Sequence, residues 1–186
     1  MSRVLVVYAS HFGQTRLVAQ RIVDRLRDRG HEVDIANASE GVEGIPPPSL
    51  YDAVILGSRV ELGKHAKPVL DYVRENTKAL KRLPTAFFSV SMAAADKAPD
   101  SDPNHYLVKT FADLRWSPTE SAAFGGAVKY REYSWPLRLI MKHISRREGQ
   151  TTDTSRNHVF TDYSAVVDFT DRFCWYLGER ESVVHM

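Results

Sequence analysis

Cysteine is nearly absent from this sequence: Cys174 stands alone among 186 residues. No disulfide can close within the chain, and a thiolate-built metal site is excluded. Cys174 itself reads as a small packed hydrophobe on the last helix. Long apolar runs are also missing, and none approaches the roughly 20 residues that a membrane-spanning helix needs. The stretch behind Met1-Ser2-Arg3, Val4 to Tyr8, is too short for a secretory signal, so a cytosolic protein is expected. There is no Gly-Lys-Ser/Thr ending of a triphosphatase loop and no Gly-x-Gly-x-x-Gly dinucleotide fingerprint. There is no Gly-x-Ser-x-Gly hydrolase elbow. The first strand does not end in the acids that a receiver domain requires. The histidines are scattered, with no acid-supported pair at helical spacing, and no metal site is expected.

What is present describes a globular chain. Hydrophobic residues make up 43% and charged residues 26%, which excludes both wholesale disorder and an integral membrane bundle. The length fits one domain over 1–186, elaborated at one point. The net charge of +2 is unevenly spread. The segment Lys129 to Arg147 holds six basic residues against Glu132, a charge of +5 that leaves −3 on the rest. A local basic patch suits an anionic substrate or surface, and nucleic acid is not expected as a partner.

Strand and helix patterns alternate along the chain. Val4 to Tyr8 is a continuous apolar run, the mark of a central parallel strand covered on both faces. From Thr15 to Arg29 the period is helical, with Val18, Ala19, Ile22, Val23 and Leu26 on one face and Gly30 as the stop. Further strands are expected over Glu32–Ala36, Ala53–Leu56, Ala86–Val90 and Ala122–Val128. Helices are expected from Pro68, over Asn104–Leu114, and from a cap at Asp162 into a face of Val166, Val167, Phe169 and Phe173. Five strands alternating with helices predict an α/β, doubly wound, five-stranded parallel sheet. Only 129–159 breaks the alternation, and a stretch that long reads as an insertion with a function.

In such sheets ligands bind beyond the carboxyl ends of the strands. After strand one come Ser10, His11, Phe12, Gly13, Gln14 and Thr15. Two hydroxyls bracket a glycine there, at the start of a helix whose free N–H groups favour a phosphate. The same residues also suit an ordinary serine-initiated turn with a threonine cap. After strand three comes Gly57-Ser58-Arg59-Val60-Glu61-Leu62-Gly63, and after strand four Ser89-Val90-Ser91-Met92. His11 and His65 fall in these loops, either toward a ligand or simply on the surface.

The hydroxyl-x-x-Gly-x-Thr arrangement after strand one resembles the FMN phosphate loop of flavodoxins. Phe88-Ser89-Val90-Ser91, Gly125 to Tyr130, Ile140-Met141-Lys142, Thr152-Asp153-Thr154 and Phe160-Thr161-Asp162-Tyr163 narrow the match. Their order resembles the bacterial quinone-dependent protoporphyrinogen IX dehydrogenase family, flavodoxin-like enzymes of haem biosynthesis with an insertion near strand five. His11-Phe12 departs from the polar pair of that family's loop.

The resemblance implies strand order 2-1-3-4-5 and FMN as cofactor. Ser10, His11, Phe12, Gly13, Gln14 and Thr15 would hold its phosphate. Gly57, Ser58, Arg59, Ser89, Val90, Ser91 and Met92 would flank its ring, with Arg59 facing the reduced flavin or a propionate. It implies oxidation of protoporphyrinogen IX by menaquinone or ubiquinone, with no catalytic side chain beyond the flavin. It also implies peripheral contact with the cytoplasmic face of the inner membrane. A flavodoxin-type electron carrier and an NAD(P)H-quinone reductase are the alternatives. Carriers are typically acidic, which the basic insertion opposes.

The insertion also has a physical reading of its own. Leu137, Ile140, Met141 and Ile144 fall within roughly a 100° arc of a helix. Arg138, Lys142 and Arg146 flank that arc, and Trp135 lies nearby. Such a stripe suits an interfacial helix, or else one packed on the core. Lys129, Arg131, Arg138 and Lys142 are the expected contacts with substrate or membrane.

Overall fold

The computed structural model describes residues 1–11, 13–91, 94, 104–129 and 157–184. The strands are β1 (Arg3–Ala9), β2 (Glu32–Asn37), β3 (Ala53–Glu61), β4 (Lys64–His65), β5 (Thr85–Ser91), β6 (Glu120–Gly125), β7 (Ala127–Lys129) and β8 (Asn157–Val159). The helices are α1 (Gln14–Asp28), α2 (Lys67–Leu80), α3 (His105–Leu114) and α4 (Tyr163–Val184). A parallel sheet runs β2-β1-β3-β5-β6, with β4 attached antiparallel to β3. Among its five parallel strands the order is the expected 2-1-3-4-5. The difference is β4, too short to show a period in the sequence.

Alternation along each strand divides the core into two layers. Val4, Val6, Tyr8, Ile55, Phe88 and Val90 pack against α1 and α4, where Val18, Ile22, Phe169 and Phe173 are buried. Leu5, Val7, Val54, Leu56 and Phe87 face α2 and α3, meeting Val69, Tyr72, Val73 and Leu107. Each fully buried large apolar side chain contributes about 1.5–3 kcal/mol by its removal from water. The helical faces read from the sequence are the buried ones, except that Val167 is half-buried. Asp162 caps α4 as expected, its Oδ1 accepting from the amides of Ser164 (2.9 Å) and Ala165 (3.3 Å).

Two boundaries differ from the sequence reading. Strand three does not stop at Leu56; it continues through Gly57, Ser58 and Arg59, which pair with Phe88, Ser89 and Val90. The expected strand Ala122–Val128 breaks at Gly126. There the Gly126 amide donates to the Ser91 carbonyl at 2.8 Å, and its carbonyl accepts from Phe160 at 3.0 Å. A Cβ on Gly125 would lie 2.5 Å from the Phe160 carbonyl oxygen, so the chain can cross back only over glycine. Beyond the break, β7 leaves the main sheet and pairs antiparallel with β8, Lys129 facing Asn157. This two-stranded stem bounds the insertion. Among the described residues, no helix is long and apolar enough to cross a membrane.

One ion cluster fastens α4 to α1. Asp171 accepts from Arg25 at 2.8 and 2.6 Å and from Arg29 at 3.2 and 2.8 Å. The hydrogen bonds from Arg25, and then those from Arg29, hold its carboxyl at about 2, below the ordinary 3.8. A carboxylate depressed in the native state favours folding above its unfolded value, and that advantage disappears as pH falls through about 2. Asp171→Asn should therefore lower the urea midpoint at neutral pH and flatten its decline between about pH 4 and pH 2. Superimposable wild-type and variant midpoints across this range would show that the cluster does not stabilise the fold.

Candidate functional site

Register delivers the site. Ala9 of β1 lies beside Ser58 of β3, Ser58 beside Ser89 of β5, and Ser89 beside Ala123 of β6, so these carboxyl ends open on one edge. Just beyond β1, the Ser10 amide donates to Ser39 Oγ at 3.0 Å, and the Ser39 hydroxyl lies 2.6 Å from Asn37 Oδ1. That strap ties the ends of β1 and β2. The Ser10 hydroxyl is buried and has no hydrogen-bond partner among the described residues. Gly13 follows at φ +84°, a left-handed conformation that favours glycine. It precedes α1, which has no side-chain cap and no acid in its first turn. A buried hydroxyl without a partner, beside an uncapped helix start, is suited to an anion.

Thr15 is buried in the first turn of α1. Gln14 points elsewhere: its Nε2 donates to Thr161 Oγ1 at 2.8 Å and to the Tyr163 hydroxyl at 3.2 Å. Thr161 in turn donates to the Gly125 carbonyl at 2.5 Å. Gln14 therefore anchors α1 to the α4 approach and the end of β6.

The β3 end is divided between structure and opening. A Cβ on Gly57 would fall 2.0 Å from the Phe88 ring, so this glycine makes room for core packing. Ser58 Oγ accepts from the Ala66 amide at 2.9 Å and lies 2.9 Å from the Arg59 carbonyl, joining β3 to the start of α2. The Ser58 side chain is thus committed inside the protein, and Gly57 has none, so the two leave only backbone for a ligand. Arg59 Nε pairs with Glu61 Oε1 at 2.9 Å, and His11 Nδ1 lies 3.3 Å from the same oxygen. Leu62, at φ +49° and 94% exposed, forms the tip of the β3–β4 turn with Gly63.

On β5, Ser89 Oγ is buried without a hydrogen-bond partner among the described residues. Val90 is a core side chain, and Ser91 Oγ accepts from the Ala94 amide at 3.0 Å. The structure thus brings Ser10, His11, Gly13, Arg59 and Ser91 to the carboxyl edge and turns Gln14, Gly57, Ser58 and Val90 to internal packing. Phe12, Met92, Arg131, Arg138 and Lys142 lie outside the described residues, as does the stripe from Leu137 to Ile144. Lys129 ends β7.

The family model of the flavodoxin domain matches residues 5–155. The chain belongs to the flavodoxin domain family. Its fold is similar to that of oxidised flavodoxin 1 from Bacillus cereus, with a TM-score of 0.54 and 16% identity, covering 93% of this chain and 97% of that one. In sequence it is 29% identical over 170 residues to a protein of Escherichia coli strain K12 named protoporphyrinogen IX dehydrogenase (quinone). That similarity covers 90% of this chain and 92% of the bacterial one. A Leishmania major protein of the same name is 29% identical over 177 residues, covering 92% of this chain and 74% of its own.

A flavodoxin domain points to a flavin cofactor, and the loop after β1 fits one: the buried Ser10 hydroxyl and the uncapped α1 are the donors a phosphate needs. Three contributors escape the sequence reading. Ser39 straps the loop from a turn of ordinary composition. Glu61 has no local pattern to mark it. Thr161 lies in a quoted motif, yet its partner Gln14 is 147 residues away.

His65 is the clearest correction in this flavodoxin domain. It is buried rather than on the surface, packed edge-on against Phe87 with ring centroids 5.3 Å apart. Its Nδ1 meets Thr110 Oγ1 at 2.8 Å, and burial pushes its pKa down to about 4. The unfolded chain takes up this proton near 6.5 while the native state resists until about 4, so stability falls with pH across that interval. His65→Gln should flatten the loss. An unchanged slope of urea midpoint against pH in the variant would mean that His65 does not account for it.

Proposed function

We propose that this chain is a single flavodoxin-like domain over 1–186, elaborated at 129–159, that binds FMN and oxidises protoporphyrinogen IX to protoporphyrin IX with a quinone as acceptor. The observation that carries the cofactor is the buried, unpartnered Ser10 hydroxyl beside the uncapped start of α1. The similarity to the two dehydrogenases, over most of this chain, supports the reaction and its substrates.

In this reading Ser10, Gly13 and Thr15 hold the phosphate. Ser10 donates a hydrogen bond, Gly13 admits close backbone approach, and the α1 dipole favours the charge. FMN supplies the acceptor of two-electron equivalents from the porphyrinogen and their donor to the quinone. Arg59 and His11 would border the ring from the β3 and β1 ends, and Ser91 from the end of β5. Met92, outside the described residues, is assigned to the ring by the resemblance alone. No side chain is assigned as a general base. Lys129, Arg131, Arg138 and Lys142 attract the substrate's propionates and the anionic surface of the membrane. The enzyme works from the cytoplasm, on the inner face of the membrane that dissolves menaquinone or ubiquinone.

The deciding assay incubates FMN-loaded protein anaerobically with protoporphyrinogen IX and a menaquinone analogue and follows porphyrin fluorescence. Fluorescence should rise in proportion to enzyme. A preparation that reduces the quinone with NAD(P)H but leaves the porphyrinogen untouched would be a quinone reductase, and the proposal would fail.

The phosphate site has its own test. A hydrogen bond to a charged group is worth about 1.5–3 kcal/mol, so Ser10→Ala should weaken FMN binding roughly tenfold or more. Fluorescence titration checks this, and unaltered affinity would remove Ser10 from the site.

A further inference from the structure

Two segments 50 residues apart in sequence meet at one carboxylate oxygen. Glu61 Oε1 lies 2.9 Å from Arg59 Nε at the end of β3 and 3.3 Å from His11 Nδ1 in the loop after β1. Arg59 is the least exposed of the three side chains, at 26% against 44% for Glu61 and 59% for His11. Its charge is therefore screened less than that of a free surface arginine. Strand alternation puts Arg59 on the sheet face of Ile55 and Gly57, one residue past the Ala9–Ser58 pairing and hence level with Ser10. An arginine at this place could lean toward a ligand or away from it. Glu61 narrows the choice by setting a carboxylate oxygen 2.9 Å from Nε as an ion pair that offsets the guanidinium charge, although the Nε–H itself makes no hydrogen bond among the described residues.

We infer that Glu61 is a positioning residue that orients and partly neutralises Arg59, and thereby sets how strongly the site favours the reduced flavin. The inference rests on the FMN binding proposed above. In each two-electron step the flavin takes a hydride, two electrons and one proton, from the porphyrinogen, whose second proton goes to solvent. The flavin thereby gains one negative charge, and it later returns the hydride to the quinone, which takes its second proton from solvent. A nearby cation stabilises the charged form over the oxidised one, and a carboxylate opposes it. The ion pair therefore holds the potential below that of an unopposed arginine, which would hold electrons back from the quinone.

The test compares two-electron midpoint potentials of the FMN-loaded wild type, Glu61→Gln, Arg59→Gln and the double variant. Glu61→Gln keeps the size and shape of the side chain while removing its charge, so the potential should move positive by about 30 mV, a tenfold change in relative affinity for the reduced form. Arg59→Gln should move it negative. On the Arg59→Gln background, the Glu61→Gln shift should shrink to less than half, because Glu61 acts through Arg59. A purely structural Glu61 would alter stability and leave the potential in place. If wild type binds no flavin, the proposed function falls and this inference with it. If flavin binds and Glu61→Gln leaves the potential unmoved, or the two shifts simply add, the inference alone is overturned.

Discussion

The parallel register of β1, β3 and β5 is the constraint on which the rest of the molecule depends. Their hydrogen bonds fix Ala9, Ser58 and Ser89 side by side, so three segments remote in sequence leave the sheet at one level. Because the side-chain period of a strand is two, a slip of one residue would exchange the two core layers and send Arg59 to the opposite face. The apolar runs on both faces make that slip prohibitively costly. The core thus holds the geometry of the edge, and polar residues at the edge need only modest local support.

That support is economical. Ser39 straps the turn after β1, Ser58 joins β3 to α2, and Gln14 joins α1 to Thr161 and so to Gly125. The Ser39 and Ser58 hydroxyls have their polar needs met inside the protein, whereas Gln14 is held through its amide nitrogen and leaves Oε1 buried without a partner among the described residues. The Ser10 and Ser89 hydroxyls are likewise buried without a partner among the described residues. An unmet buried hydroxyl costs about 1–3 kcal/mol. In the loop after β1 that cost falls near the start of α1, whose first turn has no side-chain cap.

Most of the architecture was legible because it rests on local signals. The helical faces of α1 and α4, the Asp162 cap and the central apolar runs are periodic patterns or single-residue chemistry, and these survive translation into structure. Boundaries set by remote contacts were not legible. The break at Gly126 depends on Phe160 arriving from beyond the insertion, and the extension of β3 depends on β5. His65 read as a surface residue because a lone histidine carries no period, whereas its burial comes from Thr110 and Phe87 on other elements. At the site, types were readable and partnerships were not. A serine, a glycine and a threonine around a helix start announce themselves. The meeting of Glu61 with His11 across 50 residues does not.

The stem formed by β7 and β8 has a consequence for how this protein can change. Lys129 and Asn157 face each other, so the chain departs from the sheet and comes back through a single narrow port. The entropy of joining those two ends is borne by a few antiparallel hydrogen bonds and by the glycine crossing. Lengthening the excursion adds only a slowly growing closure cost. Whatever lies between the two strands can be exchanged, extended or re-sequenced by evolution with little strain passed to the sheet. The port makes the fold a chassis with a socket, in which the sheet and the segment it carries are free to diverge at different rates.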